Sequence, residues 1–253
     1  MADAAVDDSH FESRLESRLR KCYQYSLRDR DRSYEAASKK IADALRAVNR
    51  TLEEGLILTE EYCELADVYS SVEGVGDLVE STLSVLGESG LTAKMAVDVV
   101  WAYAEVSPCH LFPDVTARAA NSTLETIKET YQNVKYAKML ISSYPDTIDG
   151  IYDLDELSTA VNTTLKTLKG ANFKREDVEL LIETYKTMST SANNVTELCS
   201  AVCRTVEYAK QNRLELGFQL GPIIRKLKKA AAEDKDKEYS AKMLCDMVTG
   251  IKA

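Results

Sequence analysis

Few side chains in this sequence are suited to chemistry: six cysteines (Cys22, Cys63, Cys109, Cys199, Cys203, Cys245) and two histidines (His10, His110). Thiolates and imidazoles serve as nucleophiles, bases and metal ligands only when partners stand within hydrogen-bond or coordination reach. Cys199 and Cys203 lie one helical turn apart, a spacing open to oxidation or a soft metal, but no histidine is near them in sequence. Cys109 and His110 are adjacent, and adjacent side chains point apart on most backbones. The close Cys-x-x-Cys spacing of zinc sites is missing, and the cysteines are too sparse for a disulfide scaffold. Reduced thiols buried as small hydrophobes are expected. The expectation is no enzyme, no cofactor and no metal.

Other motifs point the same way. "GVGD" at 74–77 lacks the lysine and the strand of a phosphate loop and reads as a break between helices. The carboxylates of "LEEGLILTEEYCE" read as a solvated helix face rather than a paired acid and base. Asn-x-Thr triplets at Asn49, Asn121, Asn162 and Asn194 read as chance, since "MADAAVDDSH" has no apolar signal core. No apolar run approaches the 18 or so residues of a membrane span, so no membrane insertion is expected.

Charge supplies the candidate contact residues. The net charge of −9 excludes a surface that grips nucleic acid throughout. Its distribution is uneven: residues 11–50 hold eleven Lys/Arg against six Asp/Glu, whereas 51–120 hold two against thirteen. Arg14, Arg18, Arg20, Lys21, Arg28, Arg30 and Arg32 form the first basic set, able to meet phosphate or an acidic protein surface. "RKLKK", with Arg225, Lys226, Lys228 and Lys229, is a smaller one. Both read equally as solvated helix faces, the first with Glu12 and Glu16 facing Arg20.

The elements that would carry these residues are helices. Ten glycines and four prolines are too few to punctuate a β-sandwich or barrel, and 45% apolar content is ample for a core. Residues 81–107 overlay 163–189 without a gap, so that Val100 answers to Ile182 and Tyr103 to Tyr185. A second overlay, offset by 72, places 121–138 on 193–210. Aromatic helix ends recur at Tyr69, Tyr103, Tyr144 and Tyr185. A period near 40 residues with two helices per unit predicts an all-α fold, an α-solenoid of about six helical hairpins, with an irregular helix bundle as the alternative. The expected organisation is a disordered N-terminus over 1–10 and one helical-repeat domain over 11–253. In "MAVDVVWAYAEVS", Met95, Val99, Val100 and Tyr103 fall on one helical face, and Trp101, without an aromatic counterpart, faces either a gap between repeats or a partner.

The segment "LTAKMAVDVVWAYAEVSPCHLFPDV", residues 91–115, resembles the degenerate helical-hairpin repeats of FAST-kinase-like, RAP-domain and octotricopeptide organellar proteins. The matching places are Leu91 with Thr92, Val100 to Ala104, and Leu111 with Phe112. Segments 57–72 and 172–189 are similar but weaker copies, and no RAP domain is visible. The resemblance implies an organellar, mitochondrial setting and RNA-linked work. Together these readings lead to a non-catalytic scaffold or accessory subunit of such an assembly, with protein subunits as partners and RNA reached through the basic N-terminal helix. A cytoplasmic protein–protein adaptor is the alternative.

Overall fold

A computed structural model describes residues 8–23, 33–66, 71–107, 113–145, 153–170, 173–189, 194–212 and 238–250, with Arg225, Lys229 and Ala232. Among them the regular structure is helical, without strands. The helices are α1 (Asp8–Cys22), α2 (Ser33–Ala47), α3 (Leu52–Ala66), α4 (Val72–Leu86), α5 (Ala93–Val106), α6 (Pro113–Thr130), α7 (Val134–Ser143), α8 (Leu154–Leu168), α9 (Arg175–Met188), α10 (Val195–Gln211) and α11 (Ala241–Thr249). Polar residues set the starts by accepting a hydrogen bond from an otherwise unpaired backbone N–H. Ser71, Thr92, Asn133, Asp153, Asn194 and Ser240 cap α4, α5, α7, α8, α10 and α11 in this way.

The spacing of these starts is exact. Helices α3, α5, α7 and α9 begin 41 residues apart, and so do α4, α6, α8 and α10. The chain divides into two compact units, Met1–Lys128 and Glu129–Ala253. In the first, α1 packs on α3, α3 on α5, and α2 on α4; in the second, α7 packs on α9, α8 on α10, and α10 on α11. Within each unit, helices of successive hairpins pack on one another, and α1 on α2, α3 on α4, α7 on α8 and α9 on α10 pack within a hairpin.

From the second hairpin onward, one buried pair recurs in each of the four hairpins. The hydroxyls of Tyr62, Tyr103, Tyr144 and Tyr185, on or at the end of the first helix, meet Thr82, Thr123, Thr164 and Thr205 on the second at 2.6, 2.8, 2.6 and 2.6 Å. A tyrosine buries a large apolar ring but needs a partner for its hydroxyl, and a threonine twenty residues on supplies it. Burial pushes the Tyr62 phenol up to about 12, with the Thr82 hydrogen bond acting the other way.

Several expectations change. The aromatic series starts at Tyr62, which keeps the 41-residue step; Tyr69 lies outside the described residues. The overlay offset by 72 fails, because 121–138 runs from α6 into α7 whereas 193–210 falls almost wholly on α10. The gapless overlay of 81–107 on 163–189 spans two steps and holds. "GVGD" is not a break: Gly74 and Gly76 lie within α4. Met95 is 39% exposed rather than facing inward with Val99, Val100 and Tyr103. The described residues contain five hairpins and α11.

Gly76 has a packing reason. A Cβ there would stand 3.2 Å from Cβ of Ala37 on α2. The same register position holds Ala117, Ser158 and Cys199 in later hairpins, so the close approach is particular to this pair. Gly76→Leu is expected to cost about 1–3 kcal/mol through overpacking, read as a lower urea midpoint with an unchanged slope.

Candidate docking surface

Side chains left outward on the second helices differ between the two units. On α4 they are Glu73, Asp77, Glu80 and Ser84, all exposed. Lys40 of α2 forms an ion pair with Asp77 and lies 4.0 Å from Glu80. This face is acidic and partly neutralised by one lysine. On α8 and α10 the outward row is hydroxylic: Thr159, Thr163, Thr196 and Ser200. A groove of about 290 Å³ runs between these two helices, with Cys199 and Cys203 among its lining residues. At its rim Thr196 donates to Glu156 at 2.6 Å, and Arg204 pairs with Asp246 at 2.5 Å.

Fixed hydroxyls, carboxylates and one paired guanidinium suit hydrogen bonding to a docked chain. Among the described residues, no three His, Cys, Asp or Glu gather as a metal site. His10 is exposed, and Cys109 and His110 lie outside the described residues. Asn121 and Asn162 of the Asn-x-Thr triplets are buried within helices, and Asn121 works there: it accepts from Thr82 at 3.0 Å and donates to Ser81 at 2.9 Å.

The basic N-terminal set is brought together only in part. Arg14, Arg18 and Lys21 share one face of α1 and, with Ser17 and Leu56, line a cavity of about 270 Å³. Arg18 is held by Glu60 of α3 at 2.9 Å. Arg20 points elsewhere, pairing with Glu16 at 2.6 Å and placing its guanidinium 4.7 Å from the Tyr34 ring centre. Arg28, Arg30 and Arg32 lie outside the described residues, as do Lys226 and Lys228; Arg225 and Lys229 are both exposed.

Trp101 is half-buried, and its indole N–H donates to Glu61 of α3 at 2.6 Å. Its polar edge is thus anchored on the preceding hairpin, and part of the ring remains at the surface. Val100, Ile182, Tyr103, Tyr144 and Tyr185 are core residues.

Sequence reasoning missed the Thr series and a second one that joins neighbouring hairpins. Lys128, Lys169 and Lys210 stand 41 residues apart and cover carbonyls near the preceding second helix's C-terminus: Val85 at 2.6 Å, Glu129 at 2.8 Å, and Thr167 at 2.9 Å. A cation there meets both unpaired carbonyls and the negative end of the helix dipole. The readable signal is Thr-(Leu/Val)-x-x-(Ile/Leu/Ala)-Lys, present from Thr123, Thr164 and Thr205. No protein-family model, curated protein or solved structure matches the chain.

Proposed function

We propose that the hairpins stack as an α-solenoid and that the chain is a non-catalytic scaffold, an accessory subunit of an organellar, mitochondrial assembly with RNA or a ribonucleoprotein as neighbour. One observation carries the scaffold reading: within each unit, hydrogen bonds join residues about one step apart. Trp101 reaches Glu61, Asn121 reaches Ser81, Thr196 reaches Glu156 and Lys169 reaches the Glu129 carbonyl. A chain that repeats one hairpin and bonds each copy to the next builds extended surface rather than an enclosed pocket. The organellar setting and the RNA rest on the resemblance of residues 91–115, and Arg14, Arg18 and Lys21 on one face of α1 are the groups suited to phosphate.

A protein-only adaptor in the cytoplasm is the second reading. It is favoured by the carboxylates already holding Arg18 and Arg20, and by the acidic outward face of α4.

Native gradient fractionation of cells expressing the chain, with organelles and cytosol run separately, tests both. The scaffold reading expects migration well above the chain's own 28.1 kDa in the mitochondrial fraction, shifting lighter after ribonuclease. A large species in the cytosol that ignores ribonuclease selects the second reading. Migration at the monomer's mass in every fraction overturns both.

A further inference from the structure

Cys22 and Cys63 stand one 41-residue step apart on two packed helices, α1 and α3. Pairing along these helices advances in the same direction on both. Arg14 and Leu56 line one cavity, Arg18 meets Glu60 at 2.9 Å, and one turn further along both helices Cys22 and Cys63 come into the same register. Cys22 is exposed and Cys63 is buried beneath it, and both are free thiols. An accessible sulfur with a buried resolving thiol beside it is the arrangement of peroxide-sensing cysteines.

The groups around Cys22 favour its thiolate. The hydrogen bond from Cys63 holds it below the ordinary thiol value, with help from the Arg18 guanidinium and against burial and Glu60. Cys63 is pushed up by that same hydrogen bond and by burial, so its proton stays on until Cys22 reacts. The other close pair is differently built. Cys199 and Cys203 have sulfurs 3.8 Å apart but lie four residues apart on α10. Helical Cβ atoms at that spacing are about 5–6 Å apart, beyond the roughly 3.5–4.5 Å that a disulfide spans.

We propose that Cys22 and Cys63 form an oxidation site that takes a hydroperoxide as co-reactant and closes as a disulfide tying α1 to α3. The Cys22 thiol first gives its proton to solvent, and the thiolate attacks one peroxide oxygen; the S–O bond forms as the O–O bond breaks, and the departing hydroxide takes up the released proton and leaves as water. With Cys22 now a neutral sulfenic acid, the Cys63 sulfur attacks it. The S–S bond forms, the S–O bond breaks, and hydroxide leaves as water with the Cys63 proton. Two thiols and one hydrogen peroxide give one disulfide and two waters. The proposal does not depend on the scaffold function.

The test treats the reduced full-length protein with a small molar excess of hydrogen peroxide, then alkylates it under denaturing conditions for intact mass and peptide mapping. The expected product has lost two alkylatable thiols, contains a Cys22–Cys63 linked peptide, and reverts with a thiol reductant. Closing this loop is expected to raise Tm by about 5 °C or more. Cys63→Ala should stop at a Cys22 sulfenic acid captured by a 1,3-dione probe. Cys22→Ser, at an exposed site, should keep its remaining thiols alkylatable at the same dose. Over-oxidation of Cys22 with Cys63 still alkylatable, a Cys22–Cys22 dimer, or a cross-link at Cys199 and Cys203 would each overturn the proposal.

Discussion

Tyr103→Ala is expected to destabilise the protein by about 3–5 kcal/mol, the range for emptying a buried aromatic site. The ring is fully buried at 0% exposure, and its hydroxyl is held by Thr123 at 2.8 Å. Truncation removes the packing between α5 and α6 and leaves the Thr123 hydroxyl in an apolar cavity. Tyr103→Phe separates the two contributions: it keeps the ring and forfeits one buried hydrogen bond, at about 1–2 kcal/mol. Urea unfolding followed by far-UV circular dichroism reads both. The pair is repeated at Tyr62, Tyr144 and Tyr185, so the same two substitutions there should show similar differences between Ala and Phe. An equal cost for Ala and Phe at Tyr103 would mean that the hydroxyl, rather than the ring, fastens the hairpin.

Much of this architecture is legible in the sequence. Helical periodicity, scarce glycine and proline, and the gapless overlay of 81–107 on 163–189 lead to paired helices. Tyr69 lies outside the described residues, and the 41-residue step, visible once Tyr103, Tyr144 and Tyr185 are aligned, leads to Tyr62 as the first aromatic of the buried series. The two glycines of "GVGD" were misleading because glycine marks a break when its conformational freedom is used, whereas Gly76 serves by lacking a side chain where α2 approaches.

The candidate surface was less legible, because charge counts along the chain do not say which charges already face one another. Arg18 and Arg20 differ by two residues and look alike in sequence. A helix turns them to different neighbours, Glu60 across to α3 for one and Glu16 on the same helix for the other. Trp101 was unassignable for the same reason. Its anchor, Glu61, is forty residues away and becomes a neighbour only when α5 packs on α3.

Arg50→Met should have the other large effect, about 3–4 kcal/mol, on the scale of breaking a mostly buried ion pair from one side. Arg50 is not part of any repeat, since the residue one step on is Leu91. Its guanidinium, 11% exposed, donates to the carbonyls of Gly87 at 2.9 Å and Ser89 at 2.7 Å and to Glu54 at 2.9 Å. Glu54 in turn accepts from the backbone N–H of Ala93, where α5 begins. One side chain therefore ties the start of α3, the end of α4 and the start of α5. Methionine matches the aliphatic stem but leaves a shielded carboxylate and two carbonyls without their donor. Arg50→Lys should recover only part of the loss, because a single ammonium cannot reach three acceptors in the planar fork of a guanidinium. Adding Glu54→Gln to Arg50→Met should cost less than the sum of the single changes, since the stranded charge is then gone. Denaturant unfolding of the four variants measures the coupling, and hydrogen exchange locates it: the amides of Gly87, Ser89 and Ala93 should lose protection before those around Tyr103. Additive losses would show that Arg50 acts through the α4 carbonyls alone.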